Sequence, residues 1–249
     1  MDTFGNRIVY GLDRELHSTL AYVSTGIVSM QPYQIKPDRL PLNIYLMDTT
    51  LTRLKACVEF ERTKDVEADA LFICDKVHQM MAYESNSTTV NTTAEEAFNA
   101  KKGECQDFAH VMIGLCKNAE IPARYASGFL EGTGQTHAWV EVFDGYNWIG
   151  LDPTHNKKID YGYLKIAHGR DASDCPVSRG FYNGLIDEKI QIQATLKELR
   201  LKQFYRQSFR LTNVCLSAKT CISMAIPKSA SALSQARTAM SSKVKWFAI

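Results

Sequence analysis

Between Lys101 and Asn156 the hydrophobic period changes, and that change limits what the chain can become. After Gly103 and Cys105, the apolar positions Phe108, Ala109, Met112, Ile113, Leu115 and Cys116 recur at spacings of three and four. That spacing predicts an amphipathic helix of about four turns. Thr136 to Phe143 alternates instead, with Ala138, Val140 and Val142 on one side and His137, Trp139, Glu141 and Phe143 on the other. That is the strand period. A second strand, Asn147 to Leu151, follows the turn Asp144-Gly145-Tyr146 and stops at Asp152-Pro153, where proline cannot donate to a ladder.

This order places three reactive side chains. Cys105 falls at a helix N-terminus, where free N–H groups and the helix dipole favour negative charge and so an acidic, nucleophilic thiol. The same N–H groups can cradle an oxyanion. Pairing the two strands antiparallel brings His137 close to Asp152. A helix-start cysteine beside a histidine and an aspartate is a nucleophile, base and orienter set. Cys105, His137 and Asp152 also offer sulfur, nitrogen and oxygen ligands to zinc. The paired Cys-x-x-Cys or His-x-x-x-His spacing of zinc sites is missing from the sequence, so no metal and no cofactor are expected.

Five blocks in order carry a family resemblance: Gly-Glu-Cys-Gln-Asp-Phe-Ala-His (103–110), Ile-Pro-Ala-Arg-Tyr-Ala-Ser-Gly-Phe (121–129), His-Ala-Trp-Val-Glu-Val (137–142), Leu-Asp-Pro-Thr (151–154) and Ala-His-Gly-Arg-Asp-Ala-Ser-Asp (167–174). The chain resembles the transglutaminase-like superfamily, in particular its bacterial branch described as cysteine proteases, over roughly residues 4–198. Two positions depart from the pattern: Glu104 replaces an apolar residue, and His155 stands where asparagine is usual. The resemblance implies an α+β, papain-like transglutaminase-core fold, with helices on an antiparallel sheet. It also implies Cys105 as nucleophile, His137 as base and Asp152 as orienter. Tyr83 is a candidate oxyanion donor, with core packing its plainer role. Arg170 and Asp171 are expected to brace the site. The implied activity is acyl transfer on amides through a thioester acyl-enzyme, with hydrolysis favoured. Transglutaminase-type transfer to an amine, or an inactive interaction module, is the alternative. The expected partner is a peptide or protein substrate, with no nucleic acid and no membrane. Oligomeric state is not legible.

The rest of the chain frames this core. Its 249 residues are 45% hydrophobic, enough for a sizeable core, and its net charge is only +2. No apolar run is long enough to span a bilayer, and Met1–Asn6 is not a signal peptide, so a cytoplasmic protein is expected. Seven cysteines without framework spacing fit a reducing compartment, with Cys57, Cys74 and Cys116 as buried, unreactive thiols. Residues 1–32 read as a curtailed N-terminal β segment, with strands at Arg7–Tyr10 and Leu20–Val28 and an open edge. Residues 33–198 read as the catalytic core. Within it, a helix is expected after Thr49 or Thr50. A second, capped by Asp65, buries Ala68, Leu71, Phe72, Cys74, Val77, His78 and Met81, and a third opens on a Thr93–Glu96 capping box. Pro122–Leu130 reads as a strand and Glu131–Gln135 as a flexible turn. Tyr161–Ala167 reads as a short helix, and Val177–Tyr182 and Glu188–Leu196 as strands. Arg124 pairs either with a site carboxylate or in a structural ion pair. Residues 199–249 form a basic stretch, with no acid after Glu198. They read either as a loosely ordered appendage or as a non-native continuation.

Overall fold

The computed structural model describes residues 1–12, 19–30, 40–159, 161–180, 187–199, 212–225 and 242–245. In chain order the elements are β1 (Thr19–Met30), α1 (Val66–Met80), β2 (Ala82–Tyr83), α2 (Ala94–Ala100), β3 (Lys102–Gly103), α3 (Cys105–Asn118), β4 (Ala123–Leu130) and β5 (Gly132–Gly134). Then come β6 (His137–Phe143), β7 (Trp148–Asp152), β8 (Lys157–Lys158), β9 (Tyr163–Gly169), β10 (Asp187–Leu199), β11 (Thr212–Ala225) and β12 (Ser242–Lys245). They fall into two compact units. The first comprises Met1–Ile8, Gln31–Gly128 and His137–Val177; the second comprises Val9–Met30, Phe129–Thr136 and Ser178–Ile249. Among the described residues no helix is long and apolar enough to cross a membrane.

The first unit is the α+β core. Its sheet runs β8-β7-β6-β4-β9. β6 pairs antiparallel with β7, from Val140 opposite Leu151 to Phe143 opposite Trp148, and antiparallel with β4, from Ala123 opposite Val142 to Gly128 opposite His137. α3 packs on β6 and against α1 and α2. Met112, Ile113 and Leu115 of α3 share a core with Ile73 and Val77 of α1 and with Val140, Val142 and Leu151 of the sheet. Each such side chain contributes roughly 1.5–3 kcal/mol of transfer free energy on burial. The expected single apolar stripe on α3 understates this: every residue from Asp107 to Lys117 is buried. Its polar members are held by partners, as when Lys117 Nζ donates to Met47 O and Thr52 Oγ1, both at 2.8 Å.

Local rules set several boundaries. Asp65 Oδ1 accepts from Ala68 N at the start of α1. Thr93 and Glu96 form the expected capping box at α2. Other expectations are overturned. The buried face of α1 keeps the expected Cys74, Val77 and Met81 but adds Ala70 and Ile73 in place of Ala68, Leu71 and Phe72; Leu71 and Phe72 are 39% and 36% exposed. Several apolar side chains ring α1, and the packing of α3 selects which of them go inward. His78 is exposed rather than a core histidine, its Nδ1 3.2 Å from the Pro153 carbonyl. No helix follows Thr50: a 3-10 turn lies earlier, at Leu42–Tyr45, and residues 53–63 run without helix or strand. Cys57 is exposed, not buried.

Tyr161–Ala167 is not a helix but leads into β9, the strand beside β4. Gly128 permits that neighbour. A Cβ there would overlap the Leu164 carbonyl oxygen and lie 2.9 Å from the Trp139 ring. The edge of the sheet thus recruits Tyr163–Gly169 by backbone approach, which local helical spacing does not register.

The second unit is a sheet ordered β12-β1-β11-β10-β5. β1 pairs antiparallel with β11, Thr19 opposite Ser223 through Met30 opposite Thr212, and parallel with β12. The expected open edge of Leu20–Val28 is therefore covered on both sides, and the stretch read as a basic tail holds two strands. Glu131–Gln135, read as a turn, contains β5, which pairs with β10 through Gly134 opposite Ala194. Arg7–Tyr10 and Val177–Gly180 form no strand. Residues 181–182, 200–211, 226–241 and 246–249 lie outside the described residues.

Gly128→Ala is expected to lower stability by about 3 kcal/mol, the upper range of overpacking. Gly134→Ala, with nothing within 4 Å of its Cβ, should stay within roughly 0.5 kcal/mol. Chemical denaturation of the two variants checks the contrast.

Candidate active site

The start of α3 is fixed by a carboxylate. Asp107 is buried, and its Oδ2 accepts from Glu104 N at 2.7 Å and from Thr88 Oγ1 at 2.5 Å. Burial raises the Asp107 pKa above the usual carboxylate range, the Thr88 and Glu104 donors working against it. Gly103 leaves room for this carboxylate: a Cβ there would meet Asp107 Cβ at 2.6 Å and Oδ2 at 2.7 Å. Glu104 is the N-cap residue, and its Oε1 accepts from Asn86 N at 2.6 Å.

Cys105 is the first residue of α3 and is partly exposed. The backbone N–H groups of Ala138 and Gln106 lie where they favour its thiolate. Ala138 is the neighbour of His137, so α3 and β6 bring the cysteine and histidine positions together. The acidic thiol expected from the helix start is overturned. Burial pushes the Cys105 thiol up to about 11, Asp152 and Glu104 push the same way, and the two N–H donors offset only part of it. Desolvation of the thiolate outweighs the helix dipole.

His137 and Asp152 meet through the β6–β7 pairing. His137 Nε2 lies 2.8 Å from Asp152 Oδ2, and both residues are buried. The same oxygen accepts from Tyr163 Oη at 2.7 Å and lies 2.7 Å from His155 Nδ1. Asp152 Oδ1 accepts the backbone N–H groups of Thr154 at 2.8 Å and His155 at 3.2 Å. Burial alone would raise the Asp152 pKa. The bond and charge of His137, with the His155 and Tyr163 bonds, reverse that and hold it well below the usual carboxylate range. An ionised carboxylate only accepts, so His137 donates to it through Nε2, which in a neutral imidazole leaves Nδ1 as the acceptor.

The other predicted residues lie elsewhere. Tyr83 is 56% exposed, not core, and pairs in parallel with Gly103, two residues before the cysteine. Arg170 forks onto Asp174, Nε to Oδ2 at 2.8 Å and Nη2 to Oδ1 at 3.1 Å. Asp171 accepts from Ser173 N and Oγ at 2.8 and 2.5 Å. Among the described residues neither bonds His137 or Asp152. The loop instead holds α3 from behind, with Ala172 N donating to His110 Nε2 at 3.2 Å. Arg124 takes the structural option, paired with buried Glu141 at 2.7 Å and lying 4.0 Å from the Trp148 ring centre. Two residues bonded to Asp152 escaped the sequence reading: Tyr163, placed in a helix, and His155, noted only as a departure. The His-Asp pair and His155 also place one ligand atom each within 4.8 Å of one another.

Residues 55–153, which contain Cys105, His137 and Asp152, match the family described as the transglutaminase-like superfamily. Over that stretch the chain is similar to the transglutaminase-like superfamily. It is 28% identical over 236 residues to an uncharacterized protein of Mycobacterium tuberculosis, covering 77% of this chain and 75% of that one. It is 27% identical over 128 residues to a protein-glutamine gamma-glutamyltransferase of Pseudomonas aeruginosa, covering 43% of this chain and 19% of that one. A crystal structure of a candidate cysteine protease from Cytophaga hutchinsonii superposes with a TM-score of 0.51 at 26% identity, covering 75% of this chain and 64% of that one. The chain thus spans somewhat under two thirds of that protein.

Two outcomes follow from the burial of these groups. Site-resolved iodoacetamide labelling of Cys105 should still be accelerating about tenfold per pH unit between pH 8 and 10, with no plateau near neutrality. Buried Cys74, Cys116 and Cys175, whose thiol pKa values burial pushes well up, should stay unlabelled while the chain is folded. His110, whose pKa burial lowers from 6.5 to about 4, binds its proton more readily when unfolded. The His110 contribution to stability should therefore fall as pH drops from 6.5 to 4, by about 3 kcal/mol, and level off below. Denaturant titrations across that window should show the slope reduced in His110→Gln.

Proposed function

We propose that this chain catalyses cysteine-dependent acyl transfer on amide bonds, with hydrolysis of a peptide or amide as its outcome. The observation that carries the reading is the buried His137–Asp152 bond on β6 and β7, with α3, whose first residue is Cys105, packed against β6. In this reading Cys105 is the nucleophile, His137 the base and Asp152 the orienter. Because the resting thiol is neutral, His137 Nδ1 takes its proton as the sulfur attacks the amide carbonyl. The oxyanion is received at the N–H groups of the α3 start, with Tyr83 as a further candidate donor. The imidazolium then protonates the leaving amine, and a thioester remains on Cys105. Water, deprotonated by His137, hydrolyses it. Asp152 stays ionised throughout and keeps the His137 proton on Nε2.

The name of the Pseudomonas aeruginosa relative favours a second outcome at the same thioester, attack by an amine instead of water. Both outcomes share a peptide or protein substrate and a thiol intermediate. Neither calls for nucleic acid, a membrane or a cofactor, and a cytoplasmic setting is part of the proposal.

A panel of fluorogenic peptide amides, with and without a fluorescent primary amine, tests the reading. The full chain should turn over at least one substrate, and Cys105→Ala should lose at least about a thousandfold. Asp152→Ala should lose about a hundred- to ten-thousandfold in kcat. Intact-mass spectrometry of a rapid quench should show one acyl adduct, on Cys105. Equal turnover by the parent and Cys105→Ala would overturn the proposal. So would a folded parent inert to the whole panel, which would leave the non-catalytic interaction module.

A further inference from the structure

Asp152 carries one imidazole more than a nucleophile–base–orienter set requires. His155 lies on the turn after β7, is about half exposed, and places Nδ1 2.7 Å from the oxygen that bonds His137. The two imidazole rings stand 5.2 Å apart. The sequence alone offered zinc only Cys105, His137 and Asp152. Among the described residues, the set that converges is His137, Asp152 and His155, whose ligand atoms lie within 4.8 Å of one another.

We infer that His137, Asp152 and His155 form an inhibitory binding site for a divalent transition-metal ion of the zinc type. Two imidazole nitrogens and a carboxylate oxygen are three protein ligands of the kind such ions take, leaving a fourth position for water. Ligand atoms around tetrahedral zinc sit about 3.3 Å apart, given bonds near 2.0–2.1 Å. The two nitrogens need to draw back from Asp152 Oδ2 by roughly half an ångström. Exposed His155 can do so freely. Asp152 supplies the negative charge, and Tyr163 Oη and the Thr154 N–H keep that carboxylate oriented, as outer hydrogen bonds do around metals. Ion entry is from the side of His155, the exposed member.

Inhibition rests on the function proposed above and follows from the tautomer. A metal on His137 Nε2 displaces the proton now held there. In a neutral imidazole that proton moves to Nδ1, the nitrogen meant to receive the thiol proton. No electrons are transferred, and chelation reverses the step.

Isothermal titration calorimetry of the full chain with zinc chloride is the test, beside His155→Asn and with cobalt(II) absorption as a second readout. One ion per chain should bind, and His155→Asn, an exposed and fold-tolerant change, should weaken it more than tenfold. The cobalt complex should show d–d bands without a strong thiolate charge-transfer band. Absence of binding at submillimolar zinc, equal affinity in His155→Asn, or a thiolate band would each overturn the inference. These readouts need no turnover, so an inactive chain that binds zinc through His155 would sink the catalytic proposal alone, and an active chain that ignores zinc would sink this one alone.

Discussion

A carboxylate removed from water must be surrounded by donors, and Asp152 organises the first unit around that need. Its two oxygens gather His137 from β6, Tyr163 from β9, and the backbone and side chain of the turn that follows β7. Three segments, β6, β9 and the turn after β7, thus converge on one anion. Burial opposes its charge and the donors more than offset that, so the ion is retained. The same bonds fix the ring and tautomer of His137. The catalytic reading and the metal reading are two uses of this one arrangement, distinguished by what occupies Nε2.

The second constraint is close backbone approach. Gly103 lets the Asp107 carboxylate reach the Glu104 N–H and pin the start of α3, and Gly128 lets β9 lie against β4. Either position would reject a methyl group. Each also serves the site: the first aims Cys105, and the second delivers Tyr163. Around them the core is continuous from α1 through α3 to β6 and β7. The price of enclosing α3 is a neutral thiol at its start and a neutral imidazole at His110.

Elements set by local chemistry were legible. The Thr93–Glu96 box, the Asp65 cap, the helix from Cys105 and the hairpin carrying His137 and Asp152 follow from spacing and turn residues. Elements set by neighbours were not. β9 has a sequence compatible with helix and becomes a strand because β4 offers an edge. The inward face of α1 is chosen by α3, and β1 is covered by strands from the far end of the chain. Tyr163 was hidden by the misassigned helix. His155 was visible as a departure, but its bond to Asp152 depends on how the turn after β7 folds back.

The sequence by itself determined the order cysteine, histidine, aspartate, the helix start under the first and the hairpin under the other two. Those follow from periodicity, caps and turns within a few residues. Only the tertiary structure decided the protonation and the company of these groups. Desolvation and hydrogen bonding depend on what the rest of the chain packs against them. Burial left Cys105 a neutral thiol despite its helix start, and three side chains from separate places came to share one oxygen of Asp152.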